Sequence, residues 1–159
     1  MSLIKQKITR LLNSNVKFEE FNILSEKDDE KDDEKDERTY NESPKMILNQ
    51  PVVESLYTTK HKNIKIVLPS YNNQKFTLLL NEVDFYSPSY LKQVGAVINR
   101  HYSGIVEGVE NSFVTLSVFK NDIACIIKFD CDTLELYKNG QNEYTYNRPD
   151  TMPNFRCGN

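Results

Sequence analysis

Phe113-Val114-Thr115-Leu116-Ser117-Val118-Phe119, then Lys120-Asn121-Asp122, then Ile123-Ala124-Cys125-Ile126-Ile127-Lys128-Phe129 is the stretch whose reading decides the fold. Its first part alternates with a period of two, Phe113, Thr115, Ser117 and Phe119 on one face and Val114, Leu116 and Val118 on the other. Successive side chains of a strand point to opposite faces, so the pattern fits a half-buried strand and offers no helical period long enough to compete. The polar triplet reads as a tight turn, and Ile123 to Phe129 as the next strand, antiparallel to the first.

The same texture continues on both sides. Downstream, Cys131-Asp132-Thr133 turns into Leu134-Glu135-Leu136-Tyr137, Lys138-Asn139-Gly140-Gln141 carries the Asn-Gly hairpin signal, and Tyr144-Thr145-Tyr146 is a last strand. Upstream, Ser103 to Val109 alternates, with Gly104 marking a bulge or a close backbone approach and Gly108-Val109-Glu110-Asn111 suiting a turn. Ile64-Lys65-Ile66-Val67-Leu68 ends at Pro69, and Tyr71-Asn72-Asn73-Gln74 is a hairpin connection to its antiparallel partner, Lys75 to Asn81. Phe85 to Tyr90 reads as a loop because Pro88 removes a ladder donor. Residues 62–146 are therefore expected to form a mainly β, antiparallel meander. It should close as a sandwich or a partly closed barrel, since so many strands in a row would otherwise leave long adhesive edges.

A length of 159 residues suits one domain with tails. The net charge of -3 gives no basic field for a polyanion, so nucleic acid is not an expected partner. No stretch approaches the roughly 20 apolar residues of a membrane span. At the start, Leu3, Ile4, Ile8, Leu11 and Leu12 fall at spacings of three and four, which predicts a short amphipathic helix packed at an edge of the sheet. Charge interrupts this segment too often for the apolar centre of a secretory signal. Residues 26–38 are a charge run with nothing to bury, read as disordered; a calcium-loop reading lacks the fixed turn and bidentate glutamate. The organisation read from sequence is a 1–25 helix and extension, a 26–45 acidic linker, a 46–150 β domain and a 151–159 tail.

Few residues carry chemistry. The two histidines, His61 and His101, stand apart, and His101 at a strand start reads as a structural hydrogen-bonding side chain rather than a general base. Cys125, within an apolar run, reads as a small buried residue. Cys125 and Cys131 are near enough to bridge across a bend and out of reach along one extended strand. The tail, Phe155-Arg156-Cys157-Gly158-Asn159, carries a cysteine with no local partner. A thiolate there is a good soft ligand for zinc, but the remaining ligands must come from another molecule.

His101-Tyr102-Ser103-Gly104-Ile105-Val106-Glu107-Gly108, followed by Val109-Glu110-Asn111-Ser112-Phe113-Val114-Thr115-Leu116-Ser117 and, after an apolar strand, by Cys157-Gly158, resembles the propeptide of reprolysin/adamalysin zinc metalloproteases. The likeness covers about residues 62–159, with His101, Tyr102, Gly104, Gly108, Ser112, Leu116 and Ser117 as its specific part. It implies a non-catalytic propeptide that keeps a protease latent: Cys157 occupies the open position of the partner's catalytic zinc, Gly158 lets the backbone lie along the cleft, and Arg156 pairs with an acidic group. The chain lacks the three-histidine zinc motif of the protease itself, so no catalysis, metal or cofactor of its own is expected; the partner is a reprolysin-like catalytic domain and the only zinc is the partner's. The resemblance implies a secretory or extracellular protein, although the start of the chain does not read as a signal peptide. Animal members carry cysteines just before His-Tyr and just after Leu-Ser; here Arg100 and Val118 or Phe119 hold those places. Two other readings are a stand-alone β module for protein interaction or structure, and a small barrel for an apolar ligand.

Overall fold

The computed structural model describes residues 3–27, 44–71, 74–83, 99–129, 132–140 and 142–148. In chain order its elements are α1 (Leu3–Asn13), β1 (Glu19–Phe21), β2 (Leu24–Glu26), β3 (Met46–Leu48), α2 (Gln50–Thr58), β4 (Asn63–Tyr71), β5 (Gln74–Val83), β6 (Arg100–Val106), β7 (Ser112–Val118), β8 (Ile123–Phe129), β9 (Asp132–Lys138) and β10 (Glu143–Asn147). From β4 to β10 each strand lies antiparallel to the next, which is the meander read from the sequence. The alternation becomes burial: Val114, Leu116 and Val118 face the core, while Phe113 faces outward.

There is one sheet, not two. All ten strands belong to it, in the order β1-β4-β5-β6-β7-β8-β9-β10-β3-β2, and it curls into a half-barrel. Of the two closures expected, the partly closed barrel holds and the sandwich does not. The pairing is also mixed, because β1 runs parallel to β4. Its first and last strands, β1 and β2, are separated in the chain only by Asn22 and Ile23. One extended segment, 19–26, thus straps the open side: it pairs with β4, then crosses to pair antiparallel with β3. Residues 19–25 fall in the stretch read as an N-terminal extension and Glu26 in the run read as disordered, yet they complete the sheet.

The concave face holds the main core, with Ile64, Ile66, Phe76, Leu78, Leu80, Tyr102, Val114, Leu116, Cys125, Ile127, Leu134 and Tyr144 buried together. A second helix, not anticipated, fills it. In α2 Pro51 sits in the first turn, where a missing N–H costs nothing, and Val53 and Leu56, three residues apart, are both fully buried. Asn49 occupies the N-cap but makes no side-chain cap; its amide donates instead to the Asn22 carbonyl at 3.2 Å, and its N–H to the Ile23 carbonyl at 2.8 Å.

The amphipathic N-terminal helix is present, but not at an edge. It lies on the outer face over β5 and β6, where Leu79 and Ile105 pair directly and Ile8 covers both. An apolar cross-strand pair on the outer face needs a cover, and that need, rather than an exposed edge, places α1. Its apolar stripe is narrower than the spacing suggested, since Leu3 is 83% and Leu12 44% exposed. Pro69 does not end β4 either; the register shifts between Leu68 and Tyr71, and such an irregularity is where a proline fits in a strand. The acidic run falls within a hairpin: β2 and β3 pair antiparallel, and Lys27 N–H donates to the Lys45 carbonyl at 2.7 Å. Residues 28–43, and the 85–90 segment read as a loop, lie outside the described residues. Among the described residues no helix is long and apolar enough to cross a membrane.

Candidate functional site

The specific residues of the resemblance all sit on one hairpin, β6–β7. His101 and Ser117 are cross-strand partners, with His101 Nδ1 and Ser117 Oγ hydrogen-bonded at 2.9 Å on the outer face. Tyr102 and Leu116 form the next pair on the inner face, both buried. Gly104 lies opposite Leu80 on β5, and a Cβ built there would stand 1.8 Å from the Leu79 carbonyl oxygen, so only glycine lets the two backbones approach. That is the close approach anticipated for it.

The turn is built with equal economy. Gly108 adopts φ +82° and Asn111 φ 59°, both in the left-handed region that the chain needs to reverse. Ser112, only 3% exposed, closes the hairpin with its hydroxyl: Val106 N–H donates to Ser112 Oγ at 2.9 Å, and Oγ donates to the Val109 carbonyl at 2.9 Å. A buried hydroxyl must be paired, and here one oxygen satisfies two backbone groups.

One end of the concave face carries a charged cluster that sequence reading missed. Arg100 Nε donates to the Tyr57 carbonyl of α2 at 3.1 Å, and its Nη1 lies 3.9 Å from Glu82 Oε2; Lys60 Nζ is 3.8 Å from Glu82 Oε1. Glu82 is the cross-strand partner of Tyr102. The Tyr102 hydroxyl is buried without a hydrogen-bond partner, and burial, followed by the Glu82 charge, raises its pKa to about 12. No sequence pattern ties these residues together, because they come from a helix terminus and two strands.

Cys125 is a free thiol on the inner face, and burial alone pushes its pKa up to about 12. It stays protonated at neutral pH and is a packing residue, as expected. Cys131, together with Arg156, Cys157 and Gly158, lies outside the described residues. What the structure gives of the tail is its root: Arg148, just after β10, holds Asp132 at the start of β9, with Nη2 3.4 Å from Oδ2.

Comparison with protein-family models, curated proteins and solved structures gives no match to this chain. Arg100 and Val118 face each other as cross-strand partners at the open end of the β6–β7 hairpin, with Phe119 the next residue along the chain.

Proposed function

We propose that this chain is a non-catalytic propeptide that holds a reprolysin-like zinc metalloprotease latent, with the Cys157 thiolate on the partner's catalytic zinc. The observation that carries the reading is the Arg100–Val118 pairing. A disulfide usually spans two Cα atoms about 4.4–6.8 Å apart, and residues directly opposite on neighbouring antiparallel strands, about 4.5–5.5 Å apart, fall in that range. Of the places that correspond to the family's cysteines, Arg100 and Val118 or Phe119 here, Arg100 and Val118 are a pair that this fold brings together. Here Arg100 ties β6 to α2 and Glu82 where a disulfide would tie β6 to β7.

The mechanism needs no chemistry from the β domain. Catalytic zinc keeps one position for water, and a thiolate there, at about 2.3 Å, displaces the nucleophile. A single thiolate is a weak ligand; docking of the folded domain beside the active site raises its effective concentration. Arg156 and Gly158 flank the ligand, one able to pair with an acidic group and the other without a side chain to obstruct the cleft.

The test is inhibition in trans. The 159-residue chain is titrated against a panel of purified reprolysin-type catalytic domains, beside its Cys157→Ser variant. Inhibition by the parent, weakened at least tenfold in the variant, supports the reading; no inhibition across the panel, or equal potency of the two, rejects it. Rejection leaves a stand-alone β interaction module as the better account.

A further inference from the structure

Asn139-Gly140 is the one Asn-Gly pair in the chain, and it lies in the turn between β9 and β10 with both residues exposed. The side-chain amide of an asparagine is open to attack by the backbone nitrogen of the next residue. Two things slow that attack: a side chain on the next residue, and a hydrogen bond that holds its N–H. Neither operates here. Gly140 adopts φ +131°, a backbone conformation that favours glycine, and a Cβ built on it would meet nothing nearer than Glu143 Cβ at 4.0 Å. Its N–H makes no hydrogen bond among the described residues. Asn13-Ser14, also exposed, is the contrast: Ser14 carries a side chain, and its N–H donates to the Arg10 and Leu11 carbonyls at 3.1 and 3.2 Å.

The same turn is a fastening point. Asn139 N–H donates to the Glu143 carbonyl at 2.7 Å and so closes the β9–β10 hairpin. Asn142, at φ 62°, accepts twice from the corner between β3 and α2: Leu48 N–H donates to its carbonyl at 2.9 Å, and Gln50 Nε2 to its Oδ1 at 2.8 Å. The β3–β10 register consists of Ile47 with Glu143 and Met46 with Tyr144, so the bonds to Asn142 lengthen a short ladder. A change in backbone length between Asn139 and Asn142 therefore acts on two anchored ends at once.

We infer that Asn139 is a modification site, which deamidates through a cyclic imide to isoaspartate and aspartate, and that the isoaspartate form loosens the β3–α2 corner from the turn. The Gly140 nitrogen gives its proton to solvent and forms a bond to Asn139 Cγ. The bond from Cγ to Nδ2 breaks, and ammonia takes up a proton and leaves. Water then opens the imide. Cleavage of its bond to Cγ restores the chain with an aspartate; cleavage at the backbone carbonyl leaves the chain running through Cγ, one methylene longer, with the α-carboxylate free. Nothing is oxidised or reduced, since an amide and water become a carboxylate and ammonium. Both products add a negative charge, but only isoaspartate lengthens the backbone between the anchored ends. Its free α-carboxylate is the group that an isoaspartate-specific methyltransferase esterifies.

The experiment incubates the full 159-residue chain, folded and in urea, in neutral buffer at physiological temperature. Peptide mapping by mass spectrometry follows Asn139 and Asn13, and methylation by an isoaspartate methyltransferase with S-adenosylmethionine measures isoaspartate. In the folded chain Asn139 is expected to convert at least tenfold faster than Asn13, with isoaspartate in excess of aspartate. Methylation should fall at least tenfold in Asn139→Gln, whose longer side chain closes a larger ring more slowly. An Asn139 that stays intact in the folded chain while converting in urea, or that converts no faster than Asn13, overturns the site. The isoaspartate form is then separated from the unmodified chain and the two are compared by amide hydrogen exchange. Leu48 N–H should exchange at least tenfold faster in the isoaspartate form while the β7 amides keep their rates. Leu48 exchange within twofold of the unmodified chain, or acceleration that includes β7, overturns the loosening of the corner.

Discussion

Asn49 holds Ile23 by the backbone: the N–H of the helix N-cap donates to the carbonyl of the strap's buried link at 2.8 Å, while the Asn49 side chain takes the neighbouring Asn22 carbonyl. Ile23 is 1% exposed, so the crossover between the sheet's edges is part of the core. Truncation there is expected to cost as core truncation does. Ile23→Ala should lose about 2–4 kcal/mol in urea unfolding, and Asn49→Ala about 1 kcal/mol for the lost side-chain bond. A loss below 1 kcal/mol for Ile23→Ala would show that the strap does not close the sheet.

Arg100→Cys with Val118→Cys is expected to form a disulfide on air oxidation, read as loss of two titratable thiols. Closing a loop of this length contributes about 3 kcal/mol in the chain-entropy account. Loss of the Arg100 bonds to Tyr57 and Glu82 offsets part of it, so the oxidised form should exceed its own reduced form in stability by about 2–3 kcal/mol but exceed the parent by less. Persistent free thiols would contradict the register.

The Tyr102 hydroxyl is buried without a partner, and replacing an unsatisfied polar group by hydrogen is close to neutral or favourable. Tyr102→Phe should unfold at equal or slightly higher urea concentration. Its pKa lies above the ordinary value of 10 only in the folded chain, so the unfolded chain ionises first. The stability is whole below pH 10 and declines as pH rises from 10 to about 12; Cys125 adds a decline that begins near pH 9. Alkaline titration of stability should therefore fall less steeply above pH 10 in Tyr102→Phe.

Replacing residues 28–43 by a four-residue turn keeps the Lys27–Lys45 closure of the β2–β3 hairpin. The replaced segment has no apolar side chain to lose but that of Tyr40, and each halving of loop length contributes about 0.6 kcal/mol. A gain of about 1 kcal/mol is expected in denaturant unfolding. A loss of several kcal/mol would show that the run packs.

Gly104→Ala drives a methyl group into the Leu79 carbonyl, backbone against backbone. The loss should be about 3 kcal/mol or more, or the variant should fail to accumulate folded. Tolerance within 1 kcal/mol would mean that β5 and β6 are spaced more widely.

The strands that could be read from sequence carry their own signal. In β7 the alternation is complete within seven residues, and Gly104, Gly108 and Ser112 do local backbone work that their residue types disclose. Leu78-Leu79-Leu80 carries a signal of its own, because an unbroken apolar run indicates burial on both faces and so the cover that α1 supplies. β1 was not legible: Glu19 and Glu20 are exposed, and its existence depends on Ile64 to Ile66, more than forty residues away. The same limit hid α2, whose Pro51 and Val53–Leu56 spacing fit a helix but are too short to outweigh the surrounding strand texture. Ile126-Ile127 does not by itself say which isoleucine faces outward, but the buried reading of Cys125 does: with a period of two, Ile127 shares its face and Ile126 points away.

The position of β3 imposes an order of events on synthesis. Met46 pairs with Tyr144, so a strand made early must wait for one made almost a hundred residues later. At about 5–20 residues per second the ribosome needs roughly 5–20 s to supply that partner. Throughout this interval β3 has only β2 as a partner, and the edge of that hairpin that will meet β10 stays open. The acidic run between them travels with them, a dense block of charge next to an adhesive segment at the time when that segment is most prone to pair with the wrong chain. Charge in that place opposes mispairing of the two halves of the closing hairpin until β10 has emerged.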